Sequence, residues 1–297
     1  IEELGDNLRK HTDFQNLYIE RATAIEVELK LGSLCANITK LGKRDTFPFE
    51  EKCYLKQAIQ ALLADDGDTT RRIVGEHANS VWSSNSDSLV NWELVKSSQR
   101  LIETCTDLER ELPSFSKKQA DLIEYYQSSL RRADQLHREF EQAVNDCPDA
   151  EDLMPGVVDL VRKNYRELVE TVQLKFTHFV DNAGWPPQGF MSNTQVFDTK
   201  VEPLLKSGGT RVAYLMVDAL RYELGYELNK QLVEDADAQL SVAFATLPSI
   251  TPVGMASLLP GAYNKLSVHV KDGKTTPLFD GKPVSDVPSR MGVFKSQ

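Results

Sequence analysis

A continuous apolar run ended by a carboxylate is the feature that most constrains the fold of this 297-residue chain. Val212–Val217 carries no charged side chain, which is typical of a strand covered on both faces in a parallel sheet. Asp218 ends the run. Helical spacing follows from Leu220 to Leu232, and alternation from Leu240 to Thr246 predicts a second strand. The pattern predicts the βαβ unit of a parallel sheet.

Two polar residues follow the predicted strands, at the sheet edge where the working residues of α/β folds lie. Asp218, after the first strand, offers the hard oxygen ligand that a divalent metal prefers. Thr251, after the second, is predicted as the N-cap of a helix that continues from Pro252 and closes at Gly261. A hydroxyl there would face backbone N–H groups that stabilise an alkoxide or a phosphate.

Both residues also have a purely structural interpretation. Asp218 could cap the helix that follows it, and Thr251 could cap its own helix. Spacing alone leaves the choice open. Ser249 is the less favoured nucleophile because it precedes the predicted cap position. For Arg221 we favour a surface ion pair over a phosphate contact.

The first two-thirds of the chain is predicted to be mostly helical. Apolar residues alternate by three and four, most regularly within Leu94–Leu112, Ile123–Val144 and Val158–Phe179, which predicts one apolar stripe along each helix. Short connections favour an antiparallel bundle. Such stripes usually form a core, and a partner-binding face is the alternative. His137 falls on a core-facing position, and we expect a half-buried side chain rather than a metal ligand.

The predicted fold class is therefore α + α/β, a helical bundle followed by part of a parallel-sheet domain. We expect a helical domain over residues 1–184, with a possible break near 85–90. The Gly- and Pro-containing stretch 185–208 is predicted as a linker. Residues 209–297 would hold an α/β domain that the chain does not complete.

Composition narrows the function. The net charge of −10 opposes binding to a nucleic-acid backbone, so direct DNA binding by this portion is not expected. No apolar run approaches the ~20 residues of a membrane span. The four cysteines form no CxxC pair, which argues against a zinc finger and fits reduced thiols in the cytoplasm.

Two segments, Val217–Glu223 and Leu247–Gly261, resemble the PglZ family of the alkaline phosphatase superfamily, and the likeness covers about the last third of the chain. It implies a two-metal, usually zinc, phosphomonoesterase or phosphodiesterase site in a BREX bacteriophage-exclusion system. Asp218 would be a metal ligand. Thr251, the threonine of a P-[ST]-x-T segment, would be the nucleophile and touch a metal. The resemblance also implies partners among other BREX subunits, such as BrxB, and a non-catalytic module that binds one of them is the alternative function.

The superfamily's further Asp and His ligands usually lie far downstream of the nucleophile. Beyond Thr251 this sequence has one histidine, His269, in the predicted strand Leu266–Val270. Asp272–Gly273 and Asp280–Gly281 are predicted as turns, and neither aspartate belongs to an Asp-His pair. We therefore expect at most half of a metal site here, in a truncated portion that is inactive by itself.

Overall fold

Helices predominate in the computed structural model, which describes residues 8–9, 11–36, 45–78, 80–84, 86–148, 154–209 and 211–296. The chain divides into two compact units, residues 1–114 with 129–173, and residues 115–128 with 174–297. The described strands form a small parallel sheet and a small antiparallel sheet, both in the second unit. The predicted α + α/β class is confirmed.

Eight α-helices have defined bounds in the described part of the chain before residue 184. They are α1 Thr12–Leu29, α2 Leu31–Leu34, α3 Pro48–Leu63, α4 Gly67–His77, α5 Ser86–Phe115, α6 Gln119–Tyr125, α7 Arg131–Asp146 and α8 Val157–Ala183. A π-helical turn, Tyr126–Leu130, joins α6 to α7. The predicted break near 85–90 falls on residue 85, which lies outside the described residues, and on the start of α5. In the described part of the chain, no helix is long and apolar enough to span a bilayer.

The apolar stripes of the long helices form the core of the first unit. Four of their residues are completely buried: Leu94, Leu101, Phe140 and Val161. Full burial of such side chains contributes about 1.5–3 kcal/mol each. These stripe residues are therefore core, not a partner-binding face.

His137 is half-buried, as the sequence predicts. Its ring stacks on that of Tyr165, with centroids 3.9 Å apart and planes 9° from parallel. Its Nε2 lies 3.4 Å from Oε1 of Glu141. Packing and electrostatics thus account for this histidine without a metal.

The second unit carries the sheets and the shorter helices. The α-helices and strands after α8 are β1 Met191–Ser192, α9 Glu202–Lys206, α10 Tyr222–Leu232, β2 Ala243–Phe244, α11 Thr251–Ser257, α12 Ala262–Lys265, β3 Leu266–Lys271, β4 Lys274–Phe279, β5 Lys282–Pro283 and α13 Val287–Lys295. A 3₁₀ helix, Asn193–Gln195, and a π-helix, Phe197–Val201, follow β1. Strands β1 and β2 pair in parallel, with Ser192 opposite Phe244. Strands β3, β4 and β5 form an antiparallel sheet in that order.

Both predicted turns of the antiparallel sheet are confirmed. Asp272 and Gly273 join β3 to β4 with φ values of 51° and 72°. Asp280 and Gly281 join β4 to β5 with φ values of 47° and 75°. Two consecutive positive φ values are those of the type I′ turn, which matches the twist of paired strands and favours Asp-Gly.

The prediction of a strand at Val212–Val217 is wrong. No strand is assigned there, and none of the backbone hydrogen bonds found between described residues involves this segment. Leu215 is 82% exposed and Val217 is 55% exposed. The second predicted strand is also shorter, since only Ala243–Phe244 pairs. An apolar run indicates a preference for burial, but a β-strand also requires an adjacent strand to complete its backbone hydrogen bonds.

The residues predicted as a linker contribute to the second unit. They supply β1, the partner of β2, and the buried Phe197 and Val201. Trp185 packs edge-on against Phe244 with ring centroids 5.4 Å apart, and its Nε1 donates to the Ala245 carbonyl at 2.8 Å.

A small core lies beneath the segment that carries Thr251. It consists of Ala256, Leu259, Ala262, Phe279 and Val284, with Leu266, Val293 and Phe294 packed against it. The core joins α11 and α12 to β4. The helix that begins at Thr251 therefore has one face anchored, while Thr251 itself is exposed.

Candidate active site

The structure brings the two predicted site residues together. Thr251 Oγ1 donates a hydrogen bond of 3.0 Å to Asp218 Oδ2. Both side chains are exposed, so a solute can reach them. A hydroxyl held against a carboxylate is the arrangement of an activated oxygen nucleophile.

A sharp backbone turn presents the Asp218 carboxylate. Its Oδ1 accepts a hydrogen bond of 3.0 Å from the N–H of Ala219, and Ala219 has φ 54°. That left-handed conformation is unfavourable for a residue with a Cβ, and such strain is concentrated at functional sites. With Oδ1 held by the turn, Oδ2 is the oxygen that meets Thr251.

Asp218 does not cap the following helix. Helix α10 begins at Tyr222 with Arg221 as its N-cap residue, and no side-chain capping bond is present. Asp218 precedes that cap by three positions. The structural interpretation of this carboxylate is therefore wrong.

Thr251 is not an N-cap either. Ile250 is the N-cap residue of α11, and Thr251 and Pro252 are its first two residues. Because Thr251 is already inside the helix, its hydroxyl donates to Asp218 instead of accepting from backbone N–H groups. The prediction for Gly261 is also wrong, because α11 ends at Ser257 and Gly261, with φ 73°, precedes α12.

Sequence reasoning missed Asn193. Its Oδ1 accepts two hydrogen bonds from Thr246, one from the backbone N–H at 3.1 Å and one from Oγ1 at 2.7 Å. Thr246 stands just before the cis Leu247–Pro248 bond in the segment that leads to Thr251. The available signal was the Ser-x-x-Gln capping pattern of residues 192–195, which marks a structured turn inside the presumed linker.

The other candidates lie in ordinary surroundings. Ser249 is exposed in the segment before α11. Arg221 forms the expected ion pair, with its Nη2 3.2 Å from Oε1 of the buried Glu223. His269 is exposed on β3, opposite Thr276.

The donor set suits a divalent metal in kind but not in number. Asp218 and Thr251 offer hard oxygen atoms, while protein-bound zinc takes about four ligands and calcium or magnesium about six or more. Among the described residues, no three or more His, Cys, Asp or Glu side chains gather into a metal-binding group. His269, Asp272 and Asp280 therefore complete no such group with Asp218.

The comparisons with known proteins match the region that contains Asp218 and Thr251 to an alkaline phosphatase-like domain. The matching family model covers residues 196–296 and is described as the BREX system PglZ alkaline phosphatase-like domain. This third of the chain is therefore similar to the PglZ family. Such a domain suggests metal dependence in general, without pointing to zinc.

Two curated relatives support the assignment. The alkaline phosphatase-like protein PglZ of Bacillus cereus (strain H3081.97) is 29% identical over 146 residues, which are 47% of this chain and 17% of the relative. The alkaline phosphatase-like protein BrxZ of Escherichia coli O9:H4 (strain HS) is 30% identical over 115 residues, 38% of this chain and 13% of the relative. The chain thus spans about a sixth or less of these relatives. No solved structure matches it.

Proposed function

We propose that this chain is part of a metal-dependent phosphatase or phosphodiesterase of a BREX phage-defence system. The observation that carries the proposal is the 3.0 Å hydrogen bond between Thr251 and Asp218. It pairs an exposed hydroxyl with a carboxylate in a domain of the alkaline phosphatase-like class. The nucleophile is Thr251.

The reaction takes two steps. Thr251 Oγ1 forms a bond to the substrate phosphorus, the ester P–O bond breaks, and the alcohol leaves. Water then attacks the phosphorus of the phosphothreonine, which restores the hydroxyl and releases phosphate from a monoester substrate or a phosphomonoester from a diester. Asp218 accepts the proton of the Thr251 hydroxyl as the Oγ1–P bond forms, and the leaving oxygen takes up a proton from water. Zinc or another divalent metal held by Asp218 and Thr251 would supply Lewis-acid stabilisation of developing charge.

Two oxygen donors do not complete a metal shell. The proposal therefore includes further ligands from residues that this chain does not carry, in keeping with the much greater length of the curated relatives. We expect this portion alone to be inactive.

The test is phosphoester hydrolysis by the complete protein that carries this sequence, with monoester and diester substrates and added zinc, manganese or magnesium. Thr251→Ala should lower the rate by at least about 100-fold, because the nucleophile is lost. Ser249→Ala removes a nearby exposed hydroxyl and serves as the matched control. Full activity in both Thr251→Ala and Asp218→Ala would refute the proposal.

A second candidate is an interaction module that binds another BREX subunit, such as BrxB. Leu215 and Val217, the exposed apolar side chains of the segment Val212–Val217, favour it, because they offer contact area on a segment with no assigned strand partner in the described structure. Co-purification with BREX subunits tests this function. Leu215→Lys should abolish capture, while Leu174→Lys, at a position 74% exposed on α8, should not. Elution as a monomer without any BREX subunit contradicts the module.

A further inference from the structure

We propose that Asn193 and Asp198 form a clamp that positions Thr251 for reaction. The clamp is defined as these two side chains, which hold residues on either side of the nucleophile. The inference rests on the proposed role of Thr251. It gives a positioning role to two residues of the stretch 185–208, which has the composition of a linker.

Asn193 holds the chain ahead of the nucleophile. The parallel pairing of β1 and β2 ends at Ser192 opposite Phe244. The Asn193 side chain then continues the hydrogen bonding beyond the last strand pair, because its Oδ1 accepts from both the N–H and the hydroxyl of Thr246. Four residues separate this anchored position from Thr251.

Asp198 holds the chain beyond the nucleophile. Its Oδ1 accepts a hydrogen bond of 2.9 Å from the N–H of Gly261. Gly261 follows α11 and has φ 73°, so the chain reverses there into α12. Residues 246–261 are thus tied at both ends to a stretch only six residues long.

The clamp is itself held in place. Ser192 and Gln195 form a capping box, in which Gln195 Oε1 accepts from the Ser192 N–H at 3.0 Å. Phe197, between the two clamp residues, is buried and packs edge-on against Tyr214 with ring centroids 5.6 Å apart. The acceptors at Asn193 and Asp198 are therefore fixed relative to the core of the unit.

Positioning matters here because Thr251 lies on a helix of seven residues whose N-cap makes no side-chain bond. The core anchors one face of this helix, while the clamp fixes the segments before and after it. A displacement of about 1 Å can cost about 100-fold in rate when reacting atoms must be aligned. The clamp is therefore expected to act on the chemical step and not on substrate binding.

The decisive variants exploit the way in which Asn193 is used. The side-chain oxygen of Asn193 accepts both hydrogen bonds. Asn193→Asp therefore keeps the acceptor, and Asn193→Leu removes it. In the complete protein, Asn193→Leu should lower kcat by about tenfold or more with KM within about twofold. Asn193→Asp should restore most of that loss. Asn182→Leu, at an exposed asparagine of α8 bonded only to His178 in the described structure, is the matched control.

The outcomes separate the clamp from the function on which it rests. Wild-type protein without Thr251-dependent hydrolysis overturns both. Active wild type with unchanged kcat in Asn193→Leu overturns the clamp alone. A loss of activity that merely follows the folded fraction, measured by thermal unfolding, also overturns it. Support requires a lower kcat in fully folded protein together with faster amide hydrogen exchange in residues 246–251, and rescue by Asn193→Asp.

Discussion

Thr251 donates a hydrogen bond of 3.0 Å to Asp218, although 33 positions separate the two residues in sequence. The bond joins the first residue of α11 to the strained turn ahead of α10. Neither side chain caps a helix, so capping does not explain why they meet. Their contact instead fits the proposal that the Asp218 carboxylate activates the Thr251 hydroxyl.

Removing the charge of Asp218 tests that chemistry. Asp218→Asn keeps an oxygen that can accept from Thr251 but is a weaker acceptor and a poorer metal ligand. We expect hydrolysis by the complete protein to fall about 100-fold, with stability changed by no more than about 0.5 kcal/mol because the site is exposed. Steady-state kinetics and zinc titration measure the effect. Asp235→Asn, at an exposed position after α10, should leave both unchanged.

Ala219→Gly tests the strain beside Asp218. Glycine accepts the φ of 54° without the cost of about 1–2 kcal/mol that a Cβ brings. This gain in the free energy of unfolding is partly offset, by about 0.5–1 kcal/mol, because glycine raises the conformational entropy of the unfolded chain. Denaturant unfolding should therefore show equal or higher stability. Ala213→Gly, at an exposed position where no positive φ occurs, should show no gain. A marked loss at Ala219 would argue against strain.

His77 should make the first unit sensitive to mild acid. It is 2% exposed and stacks on Tyr54 with centroids 3.4 Å apart, and neither ring nitrogen has a hydrogen-bond partner among the described residues. Burial lowers the pKa of His77 below its usual value of about 6.5. Once the pH falls below about 6.5, the unfolded chain therefore binds a proton that the folded chain resists, and stability declines.

The His77→Phe variant checks this dependence. Phenylalanine keeps the stacked ring and removes the titration, so the loss in the free energy of unfolding between pH 7.5 and pH 5 should shrink. His178→Phe replaces an exposed histidine and should leave the loss unchanged. Equal pH profiles for wild type and His77→Phe would contradict the prediction.

Tyr214 should make the stability of the fold depend on pH in the alkaline range. Its hydroxyl donates to the Leu258 carbonyl at 3.1 Å, and burial raises the pKa of Tyr214 to about 12. Above pH 10 the unfolded chain ionises first, so this residue's contribution is lost as the pH rises toward 12. Tyr214→Phe should cost about 0.5–1.5 kcal/mol at neutral pH and reduce the alkaline loss. Unfolding measured from pH 7 to pH 11.5 tests both parts, and exposed Tyr263 provides a Phe-substituted control.

The turn conformations could be predicted from the sequence, but the pairing of the strands could not. The turns at Asp272–Gly273 and Asp280–Gly281 follow from two adjacent residues each, because Asp-Gly suits positive φ. The strand expected at Val212–Val217 depends on neighbours that no local pattern reveals. The sequence nevertheless predicts that Asp218 and Thr251 lie near one another, because that prediction depends on where each segment ends and not on how its strand is paired.

Asn193 was missed for a different reason. Its neighbourhood is rich in glycine, proline and small polar residues, a composition typical of a connection between domains. A side chain that bonds to residues more than fifty positions away leaves no periodic signal in the sequence. Only the capping pattern of Ser192 and Gln195 indicates order there.

The pairing of β1 with β2 affects how this domain can be excised or recombined. A cut at residue 209, the boundary suggested by composition, would remove the strand beside β2 together with Trp185, whose indole donates to Ala245. Phe244 would lose its aromatic neighbours, and Thr246 and Gly261 their acceptors. The smallest transferable piece is therefore expected to begin before Trp185, and swaps between relatives should keep residues 185–201 together with the segment that carries Thr251.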